Sequence, residues 1–165
     1  MGPFSFAVIT MSDSGAQGLR QDTSGEALKN LLTGQGYEHC YYRVVPDRVE
    51  SIVEAVLEAI EIAGADLVLT TGGTGVSPTD VTPEAMNLVF DKEVPGMAEA
   101  MRAASMAITP KAVISRGRAG IRKQSLIINL PGSRKGALEN IEVLLPALDH
   151  AFEKIKGSTE VCAES

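Results

Sequence analysis

The chain has 165 residues, 44% of them hydrophobic and 22% charged, which is the usage of one globular domain and excludes wholesale disorder. Aromatic residues make up 4%, Trp is absent and the formal net charge is −6. Stacking on nucleic-acid bases and a general attraction to polyanions or anionic membranes are therefore excluded as its trade.

Phe4 to Thr10 is a short run with Phe, Val and Ile, and polar Ser12-Asp13-Ser14-Gly15 follows, so a buried strand running into a loop is expected. Asp22-Thr23-Ser24 supplies helix-cap residues, and Ala27, Leu28, Leu31 and Leu32 fall at helical spacing before Gly34 and Gly36. Tyr41 to Val45 is β-prone and ends at Pro46. Val49, Ile52, Val53, Val56, Leu57 and Ile60 then repeat at steps of three and four, the cleanest amphipathic helix in the chain. Asp66 to Thr71 is a continuous apolar strand that runs straight into Gly72-Gly73-Thr74-Gly75. Helices are expected over Pro83 to Phe90 and Met97 to Ala107, with Met97, Met101 and Met106 as core fillers. Ala112 to Ser115 and Ser125 to Leu130 read as two strands joined through Gly117 and Gly120 as an antiparallel pair. Pro131-Gly132-Ser133 turns the chain into a last helix marked by Leu138, Ile141, Leu145, Leu148 and Phe152.

Alternation of strand and helix with continuous apolar strands predicts a three-layer α/β fold. Its sheet is mainly parallel, with helices on both faces and one antiparallel strand pair. One domain over 4–156 is expected, with a polar tail at 157–165. The N-terminus lacks a leader's basic start and long apolar run, and no stretch reaches the ~18 residues of a membrane span. Cys40 and Cys162 have no partner at metal-ligand spacing and read as free thiols in a reducing compartment, so a cytoplasmic location is expected.

Charge is uneven. Between Ala100 and Lys135 lie Arg102, Lys111, Arg116, Arg118, Arg122, Lys123, Arg134 and Lys135, and no Asp or Glu. Such a segment either focuses a local positive field or simply carries solvated loop charges.

Ligands of open α/β sheets bind beyond the carboxyl ends of the strands. There the sequence places Ser12, Asp13 and Ser14, then Asp47, then Thr71 to Gly75 with Asp80, and finally Asn129 to Arg134. Clustered glycines let backbone N–H groups approach an anion, while the threonines add donors. The loop is neither a P-loop nor a dinucleotide fingerprint, since no Gly-Lys-Ser/Thr follows and the glycine spacing differs. Asp47 and Asp80 could share Mg²⁺ with substrate phosphates. Alternatively, Asp47 caps the helix beginning near Val49 and Asp80 caps the one at Pro83. Pro131-Gly132-Ser133-Arg134 offers a helix N-terminus and a guanidinium to an anion, or a plain turn with a serine cap. His39 and His150 are isolated and read as surface or helix-end residues, and without a Gly-x-Ser-x-Gly elbow no serine nucleophile is suggested.

Taken together, these loops resemble the molybdopterin-binding domain family of molybdenum cofactor biosynthesis, most closely its molybdopterin adenylyltransferase branch, related to the plant and gephyrin G domains. The resemblance rests on Ser12-Asp13-Ser14, Asp22, Val45-Pro46-Asp47 and Leu69-Thr70-Thr71-Gly72-Gly73-Thr74-Gly75. It continues through Asp80-Val81-Thr82-Pro83-Glu84, Glu93-Val94-Pro95-Gly96-Met97, Ser115-Arg116 and Asn129-Leu130-Pro131-Gly132-Ser133. It implies a nucleotidyltransferase that moves AMP from Mg-ATP to the terminal phosphate of molybdopterin and releases pyrophosphate. It also implies a homotrimer and hand-over of the product to a molybdate-inserting enzyme. Asp47 and Asp80 would be catalytic and hold Mg²⁺. Substrate contacts would come from Ser12, Asp13, Ser14, Thr71, Gly72, Gly73, Thr74, Gly75, Ser115, Arg116, Asn129, Pro131, Gly132, Ser133 and Arg134. The alternative is a non-catalytic molybdopterin-binding or scaffold module, which would not need the two aspartates.

Overall fold

The computed structural model describes residues 3–157. Cys162 and the tail beyond Gly157 lie outside the described residues. The elements in chain order are β1 (Ser5–Met11), α1 (Asp13–Ala16), α2 (Thr23–Gly34), β2 (Glu38–Val45), α3 (Val49–Glu61), β3 (Leu67–Thr71) and α4 (Thr82–Met86). There follow β4 (Lys92–Glu93), α5 (Pro95–Met106), a 3₁₀ turn (Pro110–Ile114), β5 (Ala119–Arg122), β6 (Ser125–Leu130) and α6 (Arg134–Ile155).

The strands form one six-stranded sheet in the order β2-β1-β3-β6-β5-β4. The first four are mutually parallel, and β5 runs antiparallel to both of its neighbours. Successive side chains of a strand point to opposite faces. On β1, Phe6 and Val8 enter a core with Leu28 and Leu32 of α2, Met101 of α5 and Ile141 and Leu148 of α6. Ala7 and Ile9 enter the other core, with Ile52 and Val56 of α3 and Met86 of α4. Both faces are covered, as continuous apolar strands require, and the three-layer reading holds.

The antiparallel strand is not where β-propensity put it. Ala112 to Ser115 belongs largely to the 3₁₀ turn, because Pro110 opens that turn and the Thr109 hydroxyl accepts from the Lys111 N–H. Val113 and Ile114 stay exposed there instead of entering a sheet. The strand is Ala119–Arg122, whose glycine hid it. A Cβ on Gly120 would sit 2.5 Å from the Phe90 ring, so only glycine lets that ring pack. Its turn to β6 passes through Lys123 at φ 53°. β2 starts at Glu38 rather than Tyr41, α4 stops at Met86 rather than Phe90, and α1 occupies part of the expected first loop. Met101 is buried, but Met106 is exposed rather than a core filler. His39 is half-buried on edge strand β2 with its ring against Phe6, not at a helix end.

Candidate active site

The four parallel strands end along one edge, and their exit loops bind one another. The Asp13 N–H donates to Asp47 Oδ2 at 3.2 Å, and the Asp47 N–H donates to Asp13 Oδ1 at 3.0 Å. The loops after β1 and β2 are thereby latched carboxylate to amide. The loops after β3 and β6 are joined by the Thr71 hydroxyl donating to the Pro131 carbonyl at 2.6 Å. The Thr82 hydroxyl donates to the Gly72 carbonyl at 2.9 Å, and the Ser24 hydroxyl of α2 donates to the Gly132 carbonyl at 2.8 Å. Gly72 lies at φ 103°, and a Cβ there would stand 2.6 Å from the Met11 carbonyl oxygen. No other residue fits that crossing of backbones.

Two cavities, each about 440 Å³, open on either side of this wall of main chain. The first is lined by Ser12, Asp22, Asp47, Gly72, Gly73 and Asp80 among others, and by Ser133 from the start of α6. The second is lined by Thr74, Gly75, Ser115, Pro131 and again Ser133, with Ile108 and Ile114 as apolar wall and Arg102, Lys111 and Lys135 as cations.

The two aspartates are not helix caps. Helix α3 begins after Arg48 and α4 after Val81, neither with a side-chain cap. Asp47 spends one oxygen on the Asp13 amide, while Asp80 Oδ2 accepts the Ser77 N–H at 2.8 Å. Both carboxylates border the first cavity. Burial pushes the Asp47 carboxyl above its ordinary range; the hydrogen bond from the Asp13 amide offsets part of this, and the charges of Asp13 and Asp80 add to it. A cation between Asp47 and Asp80 would relieve that repulsion. No group of three metal-ligating side chains forms among the described residues. The site thus offers a pair of hard oxygen donors rather than a full protein cage, which fits Mg²⁺ completed by water and substrate phosphates.

Of the other expected site residues, Ser12 caps α1 by accepting the Gly15 N–H, and its hydroxyl lies 3.3 Å from that of Ser14. Asn129 lines neither cavity. It is 1% exposed, donates to the Thr70 hydroxyl at 2.9 Å and accepts the Arg118 N–H, so it ties β6 to β3 and to the residue that leads into β5. Arg134 is exposed outside both cavities. The basic segment is largely spoken for. Arg102 donates to the Gly117 carbonyl, Arg118 pairs with Glu93 and bonds Asn87, and Arg122 and Lys123 pair with Glu61. Arg116 bonds Glu84 and two loop carbonyls.

The residue motifs did not single out Arg20 and Gln21 in the first cavity or Asn140 in the second, while Thr23 and Ser24 read only as cap residues and Arg102 and Lys111 only as members of the basic segment. Asp22 was legible as a cap, since Oδ1 accepts the Gly25 N–H at 2.9 Å. Its other oxygen takes the Thr10 hydroxyl at 2.5 Å and the Tyr42 hydroxyl at 2.7 Å, contacts that the cap pattern could not foretell because they come from β1 and β2.

Residues 7–150 match the family model described as a probable molybdopterin binding domain. The chain is 39% identical to a molybdopterin adenylyltransferase of Helicobacter pylori over 92% of its length and 87% of that protein. It is 41% identical to a molybdopterin adenylyltransferase of Pyrococcus furiosus, covering 91% of this chain and 90% of that one. Gephyrin of Dictyostelium discoideum is 44% identical over 88% of this chain, which spans only 21% of gephyrin. Among solved structures, the molybdopterin biosynthesis enzyme MoaB of Thermus thermophilus superposes with a TM-score of 0.87 at 45% identity, covering 94% of this chain and 98% of that one. With a family model matched over most of its length and two relatives near 40% identity along nearly the whole chain, the chain belongs to the molybdopterin-binding domain family of molybdenum cofactor biosynthesis.

Proposed function

We propose that this chain is a molybdopterin adenylyltransferase that transfers AMP from Mg-ATP to the terminal phosphate of molybdopterin and releases pyrophosphate. The observation that carries the reading is the shared cavity of Asp47, Asp80 and the glycine loop, in a chain similar to enzymes of that name. A phosphate oxygen of molybdopterin would form the new bond to the α-phosphorus of ATP. The bond from that phosphorus to the bridging oxygen breaks, and the electron pair leaves with pyrophosphate. The nucleophile is anionic at neutral pH, so no general base is needed, and neither histidine lines either cavity.

The barrier is the approach of one anion to another, so the protein's work is positioning and electrostatics. Bound Mg²⁺ would supply charge neutralisation on the triphosphate, held by Asp47 and Asp80. Half-buried Gly73, in the turn after buried Gly72, would bring backbone to phosphates at close range, and Ser12 and Ser133 would add donors on the facing loops. The second cavity, with its isoleucines and lysines, suits a flat heterocycle carrying anionic groups. We extend the proposal to one domain over 4–156, acting in the cytoplasm as a homotrimer that delivers its product to a molybdate-inserting enzyme. No helix among the described residues is long and apolar enough to cross a membrane.

The test mixes purified protein, Mg-ATP and molybdopterin and follows pyrophosphate and adenylated pterin. The native chain turns over, while Asp47→Ala and Asp80→Ala lose activity by about 100-fold or more and keep a native circular dichroism spectrum. Pterin binding without pyrophosphate release in all three proteins would establish a binding module instead.

A further inference from the structure

Arg116 lines neither cavity but braces the rim of the site from an unusual direction. Every other loop at this edge leaves a strand end, whereas Arg116 lies just before β5, the strand that runs the opposite way. Its backbone N–H donates to the Thr74 carbonyl at 2.7 Å. Its Nε donates to the Gly75 carbonyl at 2.7 Å and its Nη2 to the Asp80 carbonyl, also at 2.7 Å. The rest of the fork faces Glu84 of α4, with Nη1 at 2.5 Å and Nη2 at 3.3 Å from the two carboxylate oxygens. One side chain thus reaches both ends of the segment from Gly75 to Asp80.

That segment needs such a tie. Val76, Ser77, Pro78 and Thr79 are all exposed. The bonds inside it are local: Ser77 N–H to Asp80 Oδ2, Asp80 N–H to the Ser77 carbonyl, and a contact between the Ser77 and Thr79 hydroxyls. These bonds fix the shape of the turn but not its attitude to the sheet.

We propose that Arg116 is a positioning residue that brackets the Gly75–Asp80 segment and so aims the Asp80 carboxylate into the cavity it shares with Asp47. This rests on the adenylyl-transfer reading for its catalytic consequence, but not for the bracket itself. Two features separate it from a phosphate-binding arginine. Its charge is already met by a forked carboxylate, and four of its five N–H directions are committed within the chain. A planar, rigid guanidinium satisfies two carbonyls and a carboxylate at once, which a lysine ammonium cannot reproduce.

The test compares Arg116→Ala, Arg116→Lys and Glu84→Gln in the full chain by amide hydrogen exchange and by steady-state kinetics. Hydrogen bonds from charged groups are each worth enough that losing the bracket should speed exchange at Ser77 and Asp80 by about tenfold or more in Arg116→Ala and Arg116→Lys. Glu84→Gln, which keeps an acceptor oxygen, gives a smaller change and covers the case in which Arg116→Ala does not fold. For turnover, kcat falls by about 100-fold in Arg116→Ala, the loss expected when a carboxylate is misplaced by about 1 Å. The KM for molybdopterin stays within about twofold. Unchanged exchange in both Arg116 variants overturns the bracket. A raised KM with kcat retained overturns it as well, since that is the behaviour of a substrate ligand. A native chain that does not turn over sinks the adenylyl-transfer reading, while the exchange result still decides the role of Arg116.

Discussion

At the scale of single residues, the main chain sets the tightest constraint. Gly72 combines a positive φ with a Cβ direction blocked by the Met11 carbonyl oxygen, so Gly72→Ala must both strain its own backbone and push β1 away. A loss of about 3 kcal/mol is expected from denaturant midpoints. Gly96→Ala, where nothing lies within 4 Å of the new methyl in helix α5, should be neutral or stabilising by up to about 1 kcal/mol. Two equal losses would show that the crossing at Gly72 is not special. The same scale explains why Asp47 and Asp80 read ambiguously in the sequence. An aspartate two residues before a helix looks like a cap whether or not its carboxylate points there. What turns Asp47 away is the latch with Asp13, thirty-four positions earlier.

At the scale of elements, helix α6 has a start the sequence announces. Ser133 accepts the Gly136 N–H at 3.2 Å, as its place before Arg134 predicts. Ser133→Ala should cost about 1 kcal/mol and Ser133→Gly only a few tenths, read as shifts in chemical-denaturation midpoint. Identical midpoints for the native chain and Ser133→Ala would remove the cap from the account. Periodicity made α2, α3 and α6 legible because each buries one apolar stripe, and β1, β3 and β6 because each is buried on both faces. The antiparallel edge was legible only in kind. Its strand carries a glycine dictated by the Phe90 ring, while the more β-prone Val113 and Ile114 are held in a 3₁₀ turn opened by a proline. Strand β4 has two residues and no periodicity to read. The loops announced the cleft but not its walls. Arg20 and Gln21 face it from the chain ahead of α2, and Asn140 from the side of α6.

At the scale of the whole molecule, a pH response is expected from the sheet edge opposite β4. His39 sits on β2 against Phe6, its Nε2 buried without a partner. Burial, reinforced by the nearby Lys29 charge, lowers its pKa below the ordinary value of 6.5. The folded state therefore binds this proton less readily than the unfolded chain. The group's contribution is full above about pH 6.5 and is lost as pH falls from there through the lower folded value. In urea titrations, the native chain should lose more stability than His39→Gln between about pH 6.5 and pH 5. Parallel curves would clear His39 of any part in acid sensitivity.

The partition between the two cavities is built of peptide groups from Gly72 to Gly75 and from Pro131 to Ser133. An inhibitor that straddled it would rest against main chain, which is the same whatever residue stands there. Resistance by point substitution would then have few routes. At Gly72 any added side chain meets the Met11 carbonyl, at Gly75 the Asp80 carboxylate 2.8 Å away, and at Gly132 the Gly72 backbone 3.2 Å away. A mutant that evaded such a compound at these positions would have to dismantle the wall its own chemistry stands on.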